Sequence, residues 1–271
     1  MSMKDIVGQS KLLNHINNLS LDTFPRSILL TGKRGSGKHL ICEYISNILS
    51  ISIVDISQNI NLETIEQINS EVEPHLYIID GKYLTIKNES VLLKFLEEPL
   101  KNAYIIILCE NKQSIIPTVL NRCQVWSMDV YTKEQLNQFV EDEPDKEFMF
   151  EICETPGQIE IFKNQKISEM MNLADKMFDK IGYSNFSNML TISNKINFKE
   201  NNDKFDFYCF IDILCYVIKT KIFKNSNKFA FDMFGLTNDF KNSLSINNID
   251  NKYLFEHYLI ELRLLVRGEN I

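Results

Sequence analysis

The stretch GKRGSGK, Gly32 to Lys38, fits the pattern GxxxxGK. It lies between an apolar run, SILLT (27–31), and a segment of helical periodicity that starts at Gly37. A strand, a glycine-rich loop and a helix in that order confine the chain to few architectures. The glycines let consecutive backbone N–H groups turn inward around an anion, and the positive end of the following helix adds to the attraction. Lys38 is placed to reach terminal phosphates. The rival reading, a chance glycine-rich turn, gives no reason for the flanking strand and helix. Gly32, Arg34, Gly35, Ser36, Gly37 and Lys38 are therefore the expected phosphate cradle, for ATP or ADP. His39 departs from the pattern. Serine or threonine there would give a hydroxyl to Mg²⁺, a hard ion that prefers oxygen ligands, so magnesium binding is expected to be weak even where nucleotide fits.

The first half alternates apolar runs with helical patterns, which predicts a parallel α/β sheet. After an opening helix (10–19), strands are expected at 27–31, 51–56, 76–80, 103–109 and 124–128. Helices are expected at 37–49, 62–69, 89–98 and 115–123. The strands are almost continuously apolar, so both faces of the five-stranded sheet should be covered by helices. From Thr132 onward every segment reads helical. The expected division is a nucleotide-binding core at 1–129, a small helical lid at 130–166 and an all-helical C-terminal collar at 167–271. An Asn-rich stretch (185–203) interrupts the collar as loop. In the final helix (253–266), Leu254, Tyr258, Leu262 and Leu265 fall on one face.

The bulk numbers narrow the function. A net charge of −7 argues against a wholesale polyanion binder, without excluding a local basic surface. The start, MSMKDIVGQS, lacks the charged-then-apolar order of a secretion signal, so a cytoplasmic location is expected. The most apolar helical stretch (207–223) carries Asp212, Lys219 and Lys221 and reads as a buried helix, not a membrane span. Cys42, Cys109, Cys123, Cys153, Cys209 and Cys215 form no CxxC pair, so free thiols and no zinc are expected.

Four further motifs carry a resemblance. LYIIDGKY ends an apolar strand on Asp80, the candidate metal-side acid. LLKFLEEP (92–99) is followed by PTVLNRCQ (117–124), and the chain opens with DIVGQSKLLNHI. In order and spacing, from Val7 to Cys123, these resemble the clamp-loader subunits of the AAA+ family. That group includes the delta prime and gamma/tau subunits of DNA polymerase III and the small subunits of replication factor C. ETPGQIEIF (154–162) resembles the family's lid turn, whereas the C-terminal third matches only in helical character. The resemblance implies an AAA+ core, a lid and a collar that packs against sister subunits. It places Val7 on the adenine side and makes Arg122 an arginine finger for ATP held by a neighbouring subunit. Asn111, just past the fourth strand, becomes a phosphate or water contact. Asn121 stands where the family has serine before that arginine.

Three positions depart from an active member. His39 replaces the metal ligand, Gly81 stands where a water-orienting glutamate is usual, and Gln158 follows Gly157 where active members carry a sensor arginine. Arg122 would serve a neighbour's site and is retained. The resemblance thus implies a non-hydrolysing clamp-loader subunit, assembled with other subunits in a hetero-oligomeric ring. The sliding clamp and the phosphates of primer-template DNA are its further partners. Two alternatives stay open: a working ATPase subunit of the same machine, or a nucleotide-sensing AAA+ protein outside replication. For Arg122 itself, the alternative is a bridge to a carboxylate of its own domain. Glu97 and Glu98 read as a solvated helix cap, Cys123 as a packed thiol, and Trp126 as a contact between core and lid.

Overall fold

A computed structural model describes residues 6–97, 102–141, 144–181, 193, 196, 205–225, 228–244 and 250–267. Compactness divides the chain in two after Gln138, with the turn Thr155–Gly157 belonging to the first unit. Apart from that turn, the residues beyond Gln138 cluster with the helices that follow.

The first unit is built on five strands: β1 (Ser27–Thr31), β2 (Ser52–Asp55), β3 (His75–Asp80), β4 (Ala103–Cys109) and β5 (Gln124–Ser127). All pairings are parallel, in the order β2-β3-β4-β1-β5. Every residue of β4 is buried, while edge strands β2 and β5 are partly exposed. The helices are α1 (Ser10–Asn17), α2 (Lys38–Leu49), α3 (Leu62–Ser70), α4 (Ile86–Glu97), α5 (Pro117–Leu120) and the start of α6 (Lys133–Val140). One apolar cluster joins alternate strand residues, such as Ile28, Leu30, Ile106 and Leu108, to α1 and α2. The other joins Leu29, Ile79, Ile105 and Ile107 to α3, α4 and α5. The period of two along each strand thus feeds two cores, as the continuous apolar runs required.

Several expectations are corrected here. The helix expected at 115–123 spans only four residues, entered through Pro117. Trp126 lies in the first cluster, edge-on to His15 at 5.2 Å and to Phe24 at 5.6 Å. Its register opposite Leu30 turns it toward α1, which the sequence could not specify without the strand order.

The second unit holds the rest of α6, α7 (Lys146–Ile152), most of α8 (Pro156–Lys163), α9 (Ile167–Ile181), α10 (Phe207–Asn225), α11 (Lys228–Leu244) and α12 (Asn251–Arg267). Pro156, expected in the lid turn, is the first residue of α8, a position where its missing N–H costs nothing. α10 is buried along most of its described length, and Asp206 caps it by accepting from Cys209 N at 3.0 Å. Phe255 meets Phe207 edge-on at 5.7 Å, and Tyr258 stacks on Phe240 at 4.5 Å. The buried face of α12 is therefore Phe255, Tyr258, Leu259 and Leu262, with Leu254 and Leu265 only half-buried. The Asn-rich stretch lies almost wholly outside the described residues. No helix among them is long and apolar enough to cross a membrane.

Candidate nucleotide site

Parallel strands leave their carboxyl ends on one edge, and a crevice opens there where the chain reverses direction across the sheet. Here β1 is an interior strand, with β4 on one side and β5 on the other. Register sets Thr31 beside Cys109 and Asp80 beside Leu108, so three strands end level. The loop 32–37 leaves β1 at this edge, anchored by Gly32 N to Cys109 O at 3.1 Å.

The loop has the geometry of an anion cradle. Gly35 and Gly37 have φ of 76° and 86°, a region in which a side chain would be strained. Gly32 has no room for one, since a Cβ would fall 2.7 Å from Met128 Cγ and 2.7 Å from Ser36 Oγ. The loop carbonyls are held by donors from elsewhere in the unit. Arg34 O accepts from Thr155 Oγ1 at 2.8 Å, Gly35 O from Gly157 N at 3.0 Å, and Ser36 O from Tyr131 Oη at 2.8 Å. Ser36 is 3% exposed, and its hydroxyl has no hydrogen-bond partner among the described residues. A buried orphan hydroxyl in a glycine-rich loop fits a phosphate ligand.

Lys38 opens α2 and folds back over the loop, its ammonium donating to Gly32 O at 2.6 Å and Lys33 O at 3.1 Å. Burial lowers its pKa, while Glu110, Cys109 and Asp80 oppose the shift. Burial also pushes the Cys109 thiol up to about 11, which leaves it neutral at physiological pH. A partly desolvated ammonium among carboxylates is what a polyphosphate would meet.

The metal side is different. His39 is exposed. Asp80 Oδ1 accepts from Lys82 N at 3.1 Å and its other oxygen lies 3.6 Å from Lys82 Nζ. Among the described residues, no three His, Cys, Asp or Glu side chains gather as metal ligands. An imidazole facing solvent and one cation-paired carboxylate do not fit a firm magnesium site.

Of the positions that departed from an active pattern, Gly81 is closed as well as substituted. At Gly81, a Cβ would lie 2.8 Å from Ile115 Cδ1 and 2.9 Å from Leu108 O. Gln158 Oε1 accepts from Glu154 N at 2.8 Å, and its Nε2 lies 3.5 Å from Asp212 Oδ2, a long contact within the second unit. The residue seated on the loop is Gly157, where a Cβ would lie 2.5 Å from Gly35 Cα.

Asn111 Oδ1 accepts from Gln113 N at 3.1 Å and caps the short turn Lys112–Ser114. Val7 is half-buried, and Gly8 beside it has φ of 77°, with a Cβ position 3.1 Å from the Tyr131 ring. Tyr131 therefore links the Val7–Gly8 segment to the loop. The sequence reading missed it, because nothing in YTKEQ marks that tyrosine for an interior role. Arg122 follows α5, donating from Nη1 to Thr118 O at 2.8 Å and from Nη2 to the Glu97 carboxylate. The bridge within its own domain thus exists, and Glu97 is not merely a solvated cap. Glu98 and Pro99 lie outside the described residues.

Residues 47–132 match a family described as "DNA polymerase III, delta subunit". The delta' subunit of DNA polymerase III from Haemophilus influenzae is 31% identical over 85 residues, 28% of this chain and 26% of that protein. The gamma subunit from Buchnera aphidicola of Acyrthosiphon pisum is 23% identical over 172 residues, 51% of this chain and 48% of that protein. The chain thus spans about a quarter and about half of the length of these two curated relatives. Among solved structures, a point variant of RuvB from Thermotoga maritima matches with a TM-score of 0.52 and 18% identity. It covers 98% of this chain and 90% of that one, a likeness of fold.

Proposed function

We propose that this chain, which resembles the clamp-loader subunits of the AAA+ family, is the subunit of a DNA polymerase clamp loader that does not hydrolyse ATP. It works within a hetero-oligomeric ring of sister subunits that opens a sliding clamp and seats it on primer-template DNA. Its own loop holds ATP or ADP through Gly32, Arg34, Gly35, Ser36, Gly37 and Lys38. Its contribution to turnover is Arg122, presented to ATP on the adjacent subunit. A guanidinium supplied in trans neutralises charge that develops on the transferring phosphoryl group.

The observation that carries this reading is the closure at Gly81. Hydrolysis needs a group to orient water, and at Gly81 even a methyl group would collide with Leu108 O. That function cannot be restored by a rotamer change, and Gln158 brings no charge to sense a phosphate. The preformed loop, with Lys38 in place, supports retained nucleotide binding and keeps the motor reading as the rival.

The test is ATP turnover by the purified chain with Mg²⁺ and primed DNA, beside Lys38→Ala. Turnover no higher than that of the variant is expected. Turnover that disappears with Lys38 would identify a motor instead, and a chain that associates with no clamp-loader subunit would belong outside replication.

A further inference from the structure

We infer that Glu97 is the positioning residue for Arg122, holding the back of its guanidinium so that the front faces the adjacent subunit. The inference rests on the trans-finger reading of Arg122 and assigns a task to a carboxylate that reading leaves idle.

The two residues lie at the ends of neighbouring elements. Glu97 is the last residue of α4, and Arg122 follows α5 by two positions. Leu92, Phe95 and Leu96 of α4 share one core with Val119 of α5, so a common apolar floor fixes both backbones. Above that floor, Arg122 Nη2 donates to Glu97 Oε1 and Nη1 donates to Thr118 O. The side chains are 33% and 52% exposed.

An exposed ion pair of this kind contributes little to stability. What it does fix is direction. A guanidinium carries five N–H donors in a rigid plane. Glu97 and Thr118 O take one on each terminal nitrogen, both drawn toward the chain's own domain. Without them a long, half-exposed side chain samples many rotamers, and assembly must freeze it at an entropic cost. Held from behind, the fork meets a phosphoryl group already oriented. The task requires an acceptor at this position more than a negative charge. Glutamine should therefore serve nearly as well as glutamate, and alanine should not.

The experiment uses the full chain, tagged and recovered with its ATPase partners from its source cells, with ATP and primed DNA as probes. Glu97→Ala is expected to lower kcat about 3–10-fold with KM unchanged, since the finger acts in the transition state. Glu97→Gln should remain within about twofold of wild type. Arg122→Ala should fall at least about a hundredfold, and Glu97→Ala on top of it should cost nothing more. Melting of Glu97→Ala within about 2 °C of wild type separates positioning from folding. If Arg122→Ala is inactive while Glu97→Ala turns over normally, the inference is overturned and the finger reading stands. Equal losses in Glu97→Gln and Glu97→Ala also overturn it, because charge would then be the working property. If Arg122→Ala turns over normally, or no ATPase is recovered, the finger reading itself falls.

Discussion

Replacing Gly157 with alanine probes the seat of the lid turn on the phosphate loop. The added Cβ would lie 2.5 Å from Gly35 Cα and 2.8 Å from Gly35 O. Both are main-chain atoms of a loop whose carbonyls are tied to Thr155, Gly157 and Tyr131, so neither swings aside as a side-chain tip would. The turn must lift, which strains or opens the bonds to Arg34 O and Gly35 O. Overpacking costs about 1–3 kcal/mol, and each lost hydrogen bond about 1 kcal/mol. In the other direction, alanine is favoured over glycine by up to about 1 kcal/mol inside a helix. That gain is smaller at Gly157, the second residue of α8. The net expectation is a loss of roughly 1–3 kcal/mol, or about 3–10 °C in Tm. Gly235→Ala is the matched control, because it lies inside α11 with nothing within 4 Å of its Cβ position. It should gain about 0.5–1 kcal/mol. Urea unfolding followed by fluorescence of Trp126, the only tryptophan, reports the first unit, and far-UV circular dichroism reports both. Opposite signs are expected for the two variants. If Gly157→Ala is as stable as wild type, the seat is loose and the closure reasoning fails with it.

Two further outcomes concern the second unit. Tyr258 and Thr237 share a buried hydrogen bond of 2.8 Å, and burial raises the tyrosine pKa far above its usual range. Tyr258→Phe should therefore cost about 0.5–1.5 kcal/mol in urea unfolding, with no cost if the pair contributes nothing. Burial alone would lower the Lys241 pKa, but the buried Asp212 carboxylate 2.5 Å away outweighs it and the net value lies above 10.5. That stabilisation is complete below the unfolded lysine value of 10.5 and is lost as pH rises through the higher folded one. Lys241→Met should be less stable at neutral pH, because Asp212 loses its cation, and its stability should fall less steeply above pH 10.5. Equal alkaline slopes would show that the pair does not titrate with folding.

What a residue could reveal locally was legible in the sequence. The runs at 27–31 and 103–109 are strands to the residue, because a strand buried on both faces must be apolar throughout and its ends are marked by polar punctuation. The loop 32–38 was equally plain, since its glycines are demanded by main-chain geometry at Gly35 and Gly37. What depends on distant neighbours had to await the fold. Thr155 meets Arg34 across 121 positions, Arg122 meets Glu97 across 25, and Trp126 finds His15 only through the place of β5 beside β1. A sequence states which groups a chain carries. Whether a glycine is merely a missing side chain or a space already filled, as at Gly81 and Gly157, is decided by the atoms packed around it, because close-packed interiors leave no room to add even one methyl group.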